Sequence, residues 1–281
     1  MALTKHGRTA FVLGGGGMLG ATEVGMLRAL AEREIRPDLV VGTSVGAING
    51  AYIAADPSPA AVQALADLWG ALGRSDVFGQ SLLRQATTLA RSGTHLHQNS
   101  ALRHLLEEHA GDTLIEDLPV QFQCVAASIE QASAHWFERG PLVEAVLASC
   151  AVPGLLPPVR IGDEHFIDGG IVRSLPVGRA LELGASTVYV LHVGRIERPL
   201  TAPRWPWEVG LVCFEIARRH RFAEDMASLP EDVQVHVLPA GDISSPLAQL
   251  RYRDPRQIGS RIDRAHAATS EYLNSRVPGA G

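Results

Sequence analysis

Gly42-Thr43-Ser44-Val45-Gly46 lies between the apolar run Leu39 to Val41, which has the character of a β-strand, and Ala47 to Ala55, which has that of a helix. A serine hydroxyl is a poor nucleophile unless the backbone lifts it clear of its neighbours, and a strand-to-helix corner does this for Ser44. Such a corner leaves no room for side chains two positions to either side, and those positions are Gly42 and Gly46. The helix that follows aims its first amides at negative charge developing beside the serine. On the pentapeptide alone, an ordinary glycine-rich turn reads as well as a nucleophile elbow. Two other stretches decide between them.

Upstream, Thr9 to Leu13 reads as a short strand running into Gly14-Gly15-Gly16-Gly17-Met18-Leu19-Gly20. Ala21 to Glu34 then shows helical apolar spacing at Val24, Leu27, Leu30 and Ala31. Consecutive glycines let several backbone N–H groups converge, and the adjoining helix adds the positive end of its dipole, so the loop is built to hold an anion. Gly15, Gly17 and Gly20 match the dinucleotide fingerprint G-x-G-x-x-G, but the second strand ends in Gly42-Thr43-Ser44 and the nearest acid, Asp38, precedes it. A triphosphate loop needs lysine and a hydroxyl after its last glycine, and Gly20 is followed by neither. The remaining anion is the oxyanion of a tetrahedral acyl intermediate, since two neighbouring parallel strands bring this loop beside Ser44.

Downstream, Pro59 to Leu72 and Ser100 to His109 read as helices over the site. Leu82, Leu83 and Leu89 between them read as plain core rather than an acyl channel. Val120 to Ile129 and His135 to Phe137 are strand-like, and Pro141 to Ser149 is a helix with proline in its first turn. Three prolines stiffen the apolar loop Ala148 to Val159, a wall beside the site. His165-Phe166-Ile167 then delivers Asp168-Gly169-Gly170 at a strand end. Alone this is an Asx turn, but a nucleophile and an anion hole lack a base, and α/β sheets gather their sites at strand carboxyl ends. Asp168 is the candidate.

The remainder keeps an α/β rhythm: helix Pro176 to Leu183, strand Thr187 to Val193, helix Trp207 to Ala227, strand Val233 to Leu238 and a last helix from Pro255 capped by Asp254. Trp207, Leu211, Phe214 and Arg218-Arg219-His220-Arg221 suit an anionic membrane surface, but a solvated basic face on a core-packed helix is the plainer reading. The chain has 281 residues, 46% hydrophobic and 20% charged with net charge −5, enough for one large core and without the positive charge that nucleic acid binding needs. Cys124, Cys150 and Cys213 lack the spacing of a disulfide framework or zinc site and suggest a reducing, cytoplasmic setting. No signal peptide pattern opens the chain. The longest uncharged stretch, Leu39 to Ala55, is too polar for a membrane span.

The glycine loop, G-x-S-x-G and D-G-G, with Pro-Gly-x-x-Pro-Pro before the aspartate, occur here in the order that marks the patatin-like phospholipase family, and the chain resembles that family over residues 10–178. The resemblance implies a three-layer α/β/α sandwich with a mainly parallel central sheet. It implies a Ser-Asp dyad of Ser44 and Asp168, an oxyanion hole from Gly15, Gly16, Gly17 and Met18, supporting glycines at Gly20, Gly42, Gly46, Gly169 and Gly170, and hydrolysis of lipid acyl esters without metal or organic cofactor. One domain then spans 1–281, with 179–281 completing the sheet and helices, in a cytoplasmic protein peripheral to a membrane. Many members carry Arg or Lys where Leu19 stands and Asn where Ser174 stands. Because the oxyanion contact is made by backbone, Leu19 bears on how the loop is braced.

Two other readings compete. Chain order permits an α/β-hydrolase Ser-His-Asp triad, since His192, His220, His236 and His266 follow Asp168, but that fold places several strands before the elbow and here only one fits. A carboxylate base further predicts activity persisting below pH 6, where a histidine near its ordinary value of about 6.5 protonates. A catalytically silent lipid- or acyl-binding protein on the same scaffold is the other.

Overall fold

Strands covered on both faces need apolar residues at every position rather than at alternate ones. Ala10 to Leu13 and Leu39 to Val41 meet that demand and are buried throughout. In the computed structural model of the protein, residues 7–74, 88, 94–193, 199–204, 206–241 and 256–276 are described. Leu82, Leu83, Leu89, Asp254 and Pro255 lie outside the described residues, as do the side chains of Trp207, Leu211 and Phe214.

The chain runs β1 (Arg8–Leu13), α1 (Ala21–Ala31), β2 (Leu39–Thr43), α2 (Val45–Ala55), α3 (Pro59–Arg74), α4 (Ser100–Ala110), β3 (Gln121–Ser128), β4 (Ser133–Phe137), α5 (Leu142–Ser149), β5 (Val159–Ile161) and β6 (Glu164–Asp168). It continues with α6 (Gly170–Arg173), α7 (Val177–Glu182), β7 (Ala185–Leu191), α8 (Pro206–Ala227), β8 (Gln234–Leu238) and α9 (Arg256–Arg276). These form an eight-stranded sheet ordered β5-β6-β3-β2-β1-β7-β8, with β4 also on β3. The pairs β1–β2, β1–β7, β2–β3 and β7–β8 are parallel, while β4, β5 and β6 run antiparallel to their neighbours.

Alternation along β1 divides the core. Phe11 and Leu13 join one cluster with α1, α2, α3, α5 and α9, and Ala10 and Val12 join the other with Val177, Ala180 and Phe222 of α7 and α8. Helices therefore cover both faces, and the fold is the three-layer α/β/α arrangement. The helix after the elbow is apolar on nearly every side because it is covered on nearly every side, with Val45 to Ala51 all buried.

The structure trims several expected elements. The first helix stops at Ala31 rather than Glu34, because the Ile35 N–H returns to the Leu30 carbonyl (3.1 Å) and Glu34 takes a left-handed φ of 55°, a Schellman-type closure. The strand expected to reach Val193 ends at Leu191, so His192 leaves the ladder. The basic run on α8 is not a uniformly solvated face: Arg218 is buried, and both it and Arg219 bond Glu215 of the same helix.

Candidate active site

Register brings the site together. Leu13 pairs with Gly42, so the residues after each strand, the start of the glycine loop and the elbow, leave the sheet side by side. On β3, Thr43 pairs with Val125 and Asp168 with Ala126, so β6 takes up β3 where β2 leaves it. The nucleophile candidate and the base candidate thereby emerge one β3 position apart.

At the corner Ser44 holds φ 55° and ψ −125°, a conformation that costs about 1–3 kcal/mol for a non-glycine residue. A Cβ at Gly42 would lie 2.5 Å from the Gly46 carbonyl oxygen, and one at Gly46 would lie 2.4 Å from the Leu13 carbonyl oxygen. Both glycines are thus required by contact with backbone that cannot give way. The corner is pinned on either side: the Ser44 N–H donates to Ser149 Oγ (2.9 Å), which donates to the Val125 carbonyl (2.7 Å), and Thr43 Oγ1 donates to the Arg173 carbonyl (2.8 Å).

Ser44 Oγ donates to Asp168 Oδ2 at 2.6 Å, and the other carboxylate oxygen accepts the Gly170 N–H at 2.7 Å. The Asx turn and the base geometry are therefore both present, one on each oxygen. A Cβ at Gly169 would sit 2.1 Å from the Val125 carbonyl oxygen, so the first glycine of D-G-G lets β6 lie against β3. Ser44 and Asp168 are 6% and 3% exposed. Burial pushes the Asp168 carboxyl up to about 6, against the lowering effect of its bonds from Ser44 and Gly170. This corrects the expected pH test: a carboxylate at about 6 protonates nearly where histidine does, so activity falling near pH 6 no longer separates the two bases.

The glycine loop passes beside the serine, since a Cβ on Gly15 would lie 3.4 Å from Ser44 Cβ. The Gly15 amide itself is spent on the Ser174 carbonyl (3.1 Å). Gly15 thus forms the wall, a correction to its reading as an oxyanion donor, while among the described residues the amides of Gly16 and Gly17 have no protein acceptor. Met18 begins the last turn of a 3-10 segment, Gly17–Gly20, that leads into α1. A Cβ on Gly20 would strike Val45 and Trp69 at 2.3 and 2.6 Å, which explains the last glycine of the loop.

Of the histidines of the rival triad, His220 pairs with Glu224, His236 bonds Tyr272 and stacks on Tyr189, and His266 pairs with Glu32. The fourth, His192, is buried just beyond β7. An apolar cavity of about 370 Å³ lies between α2, α3, α4 and α5, but it is lined by Tyr52 and Ala55 at the end of α2 and by Leu142 and Val143 at the start of α5. Ser44 and Ser149 sit at the opposite ends of those two helices, so this cavity is separate from the site.

Residues 11–181 match the family model described as patatin-like phospholipase. The chain belongs to the patatin-like phospholipase family. It is 36% identical over 189 residues to a patatin-like phospholipase domain-containing protein of Caenorhabditis elegans, covering 66% of this chain and 14% of that protein. To lysophospholipase nte1 of Emericella nidulans it is 32% identical over 189 residues, covering 66% of this chain and 12% of that one. The chain therefore matches only a small part of these relatives' length. The crystal structure of VipD from Legionella pneumophila shares the fold, with a TM-score of 0.52 at 14% identity over 96% of this chain and 67% of that one.

Sequence reasoning missed Ser149, whose only signal is a hydroxyl closing the mostly apolar helix LVEAVLAS, and it missed Glu23 and Asn49 beneath the loop. Ser174 Oγ is buried and makes no hydrogen bond among the described residues.

Proposed function

We propose that the protein is a serine-dependent lipid acyl hydrolase of phospholipase A, lysophospholipase or carboxylesterase type, with Ser44 as nucleophile and Asp168 as its base. The observation that carries this is the 2.6 Å bond from Ser44 Oγ to a buried carboxylate at a strained elbow, a distance suited to direct proton transfer. Asp168 takes the hydroxyl proton as Oγ attacks the acyl carbonyl, then gives it to the departing alcohol as the ester C–O bond breaks. A water, deprotonated by the same carboxylate, hydrolyses the acyl-serine, and the fatty acid and free hydroxyl are restored. In both steps the oxyanion meets the amides of Gly16, Gly17 and Met18 at the foot of a helix.

Membership of the patatin-like family and likeness to a protein named lysophospholipase support a lipid ester as substrate. The setting we read is cytoplasmic, with substrate met at a membrane surface; no helix of the described residues is long and apolar enough to cross one. A screen of phospholipids, lysophospholipids and neutral esters tests the reading. Fatty acid release by the wild type that disappears in Ser44→Ala supports it, and no release from any class, or release unchanged in Ser44→Ala, contradicts it.

A further inference from the structure

The Leu19 side chain offers the glycine loop no hydrogen bond, yet the loop is held at both ends from below. Glu23, in the first turn of α1 and fully buried, accepts the Gly14 N–H on Oε1 (2.9 Å) and the Asn49 side-chain amide on Oε2 (2.7 Å). The same Asn49 nitrogen donates to the Gly20 carbonyl (3.0 Å), and Asn49 Oδ1 accepts Trp69 Nε1–H (2.9 Å). The run Gly14 to Gly20 is thus clamped at its first and last residues by two side chains, one on the helix after the loop and one on the helix that starts at Ser44.

The donor and acceptor pattern admits one arrangement. An indole N–H can only donate, so Trp69 fixes Asn49 with its oxygen outward and its NH₂ toward Glu23 and Gly20. A backbone N–H likewise only donates, and that of Gly14 is shared between Glu23 Oε1 (2.9 Å) and the Leu191 carbonyl (3.0 Å), so each oxygen at position 23 faces a donor. An ionised glutamate accepts from both, against the upward push of burial on its carboxyl, and glutamine does not. No charged side chain bonds Glu23 among the described residues, so the polar cluster is bound through hydrogen bonds alone, and a half-satisfied buried network would open.

We infer that Glu23, with Asn49, is a positioning residue for the oxyanion loop, setting the amides of Gly16 and Gly17 against Ser44 without touching substrate. This rests on the hydrolase reading given above. A brace of this kind acts on the transition state, where a displacement of about 1 Å costs on the order of 100-fold, more than on substrate affinity.

The test uses Glu23→Gln, which is isosteric but turns one acceptor into a donor, and Trp69→Phe, which removes the N–H that orients Asn49 while keeping an aromatic ring. The readouts are kcat and KM on a short p-nitrophenyl ester, the rate of Ser44 labelling by a small phosphonate, and the thermal midpoint. The expected result for folded Glu23→Gln is kcat lower by roughly 10- to 100-fold with KM within about threefold, and labelling slowed in parallel. Trp69→Phe should show the same split to a smaller degree. A loss confined to the thermal midpoint, with kcat and labelling at wild-type levels in both variants, overturns the brace. Should Glu23→Gln not fold, Trp69→Phe decides alone by the same criterion. A wild type that neither hydrolyses nor labels overturns the hydrolase reading and this inference with it, whereas an active wild type with unaffected variants overturns the brace only.

Discussion

Asp168 carries two opposed demands in one side chain. Burial makes its charge costly, while the hydroxyl of Ser44 and the amide of Gly170 each need an acceptor there. With its native value raised to about 6 from an ordinary 3.8, the native state binds this proton more tightly than the unfolded chain does. The ionised group therefore opposes folding above about pH 6, and that cost vanishes below the unfolded value near 4. Asn in its place can accept from Gly170 and donate to Ser44 Oγ, so Asp168→Asn keeps both bonds and loses the charge. We expect Asp168→Asn to lower turnover by about 10³-fold or more while its thermal midpoint at pH 8 equals or exceeds that of wild type, the advantage shrinking toward pH 4. A midpoint well below wild type at pH 8 would show that the carboxylate stabilises the fold. As a base Asp168 must be ionised, so wild-type kcat/KM should fall on acidification through about pH 6.

Among elements, the glycine loop separates two physical effects at adjacent residues. A Cβ on Gly16 would come within 1.8 Å of Val193 Cγ2, whereas Gly17 has open space around its Cβ position but a φ of +56°. Gly16→Ala should therefore push the loop off its seat, and Gly17→Ala should cost only about 1–2 kcal/mol of left-handed backbone strain. The expected order of turnover is wild type, then Gly17→Ala, then Gly16→Ala, with Val193→Ala restoring much of the loss when added to Gly16→Ala. Equal turnover in folded Gly16→Ala and wild type would reject the loop as oxyanion donor. The histidine alternative belongs to the same scale: Gln at His220, His236 and His266 should leave most turnover intact, because those side chains serve contacts on α8, β8 and α9. Gln at His192 is the sharper case, and loss of all turnover in that folded variant would return the base to histidine.

For the molecule, local chemistry was readable and pairing between distant segments was not. Ser44 and Asp168 announce themselves through glycines whose Cβ would meet backbone, and the glycine loop through glycines whose Cβ would meet side chains or, at Gly17, whose φ is left-handed, constraints written in nearby letters. That β6 runs antiparallel on the end of β3, setting Asp168 opposite Ala126, is decided by residues some forty positions apart, and no local pattern encodes it. The three-residue β5 was equally silent, being too short for alternation to register. Burial also altered chemistry that a sequence presents at its ordinary value, which is why Asp168 was first credited with activity at acid pH. Glu23 and Asn49 looked like unremarkable helix residues, and their role follows only once α1 and α2 are packed together. The central claim, that Ser44 attacks and Asp168 activates it, is tested most directly by mass spectrometry of protein treated with a fluorophosphonate. The account predicts one adduct on the peptide containing Ser44 in wild type, none in Ser44→Ala, and labelling slowed by orders of magnitude in folded Asp168→Asn. An adduct on another residue, or labelling of Ser44 at the wild-type rate without the Asp168 carboxylate, would contradict it.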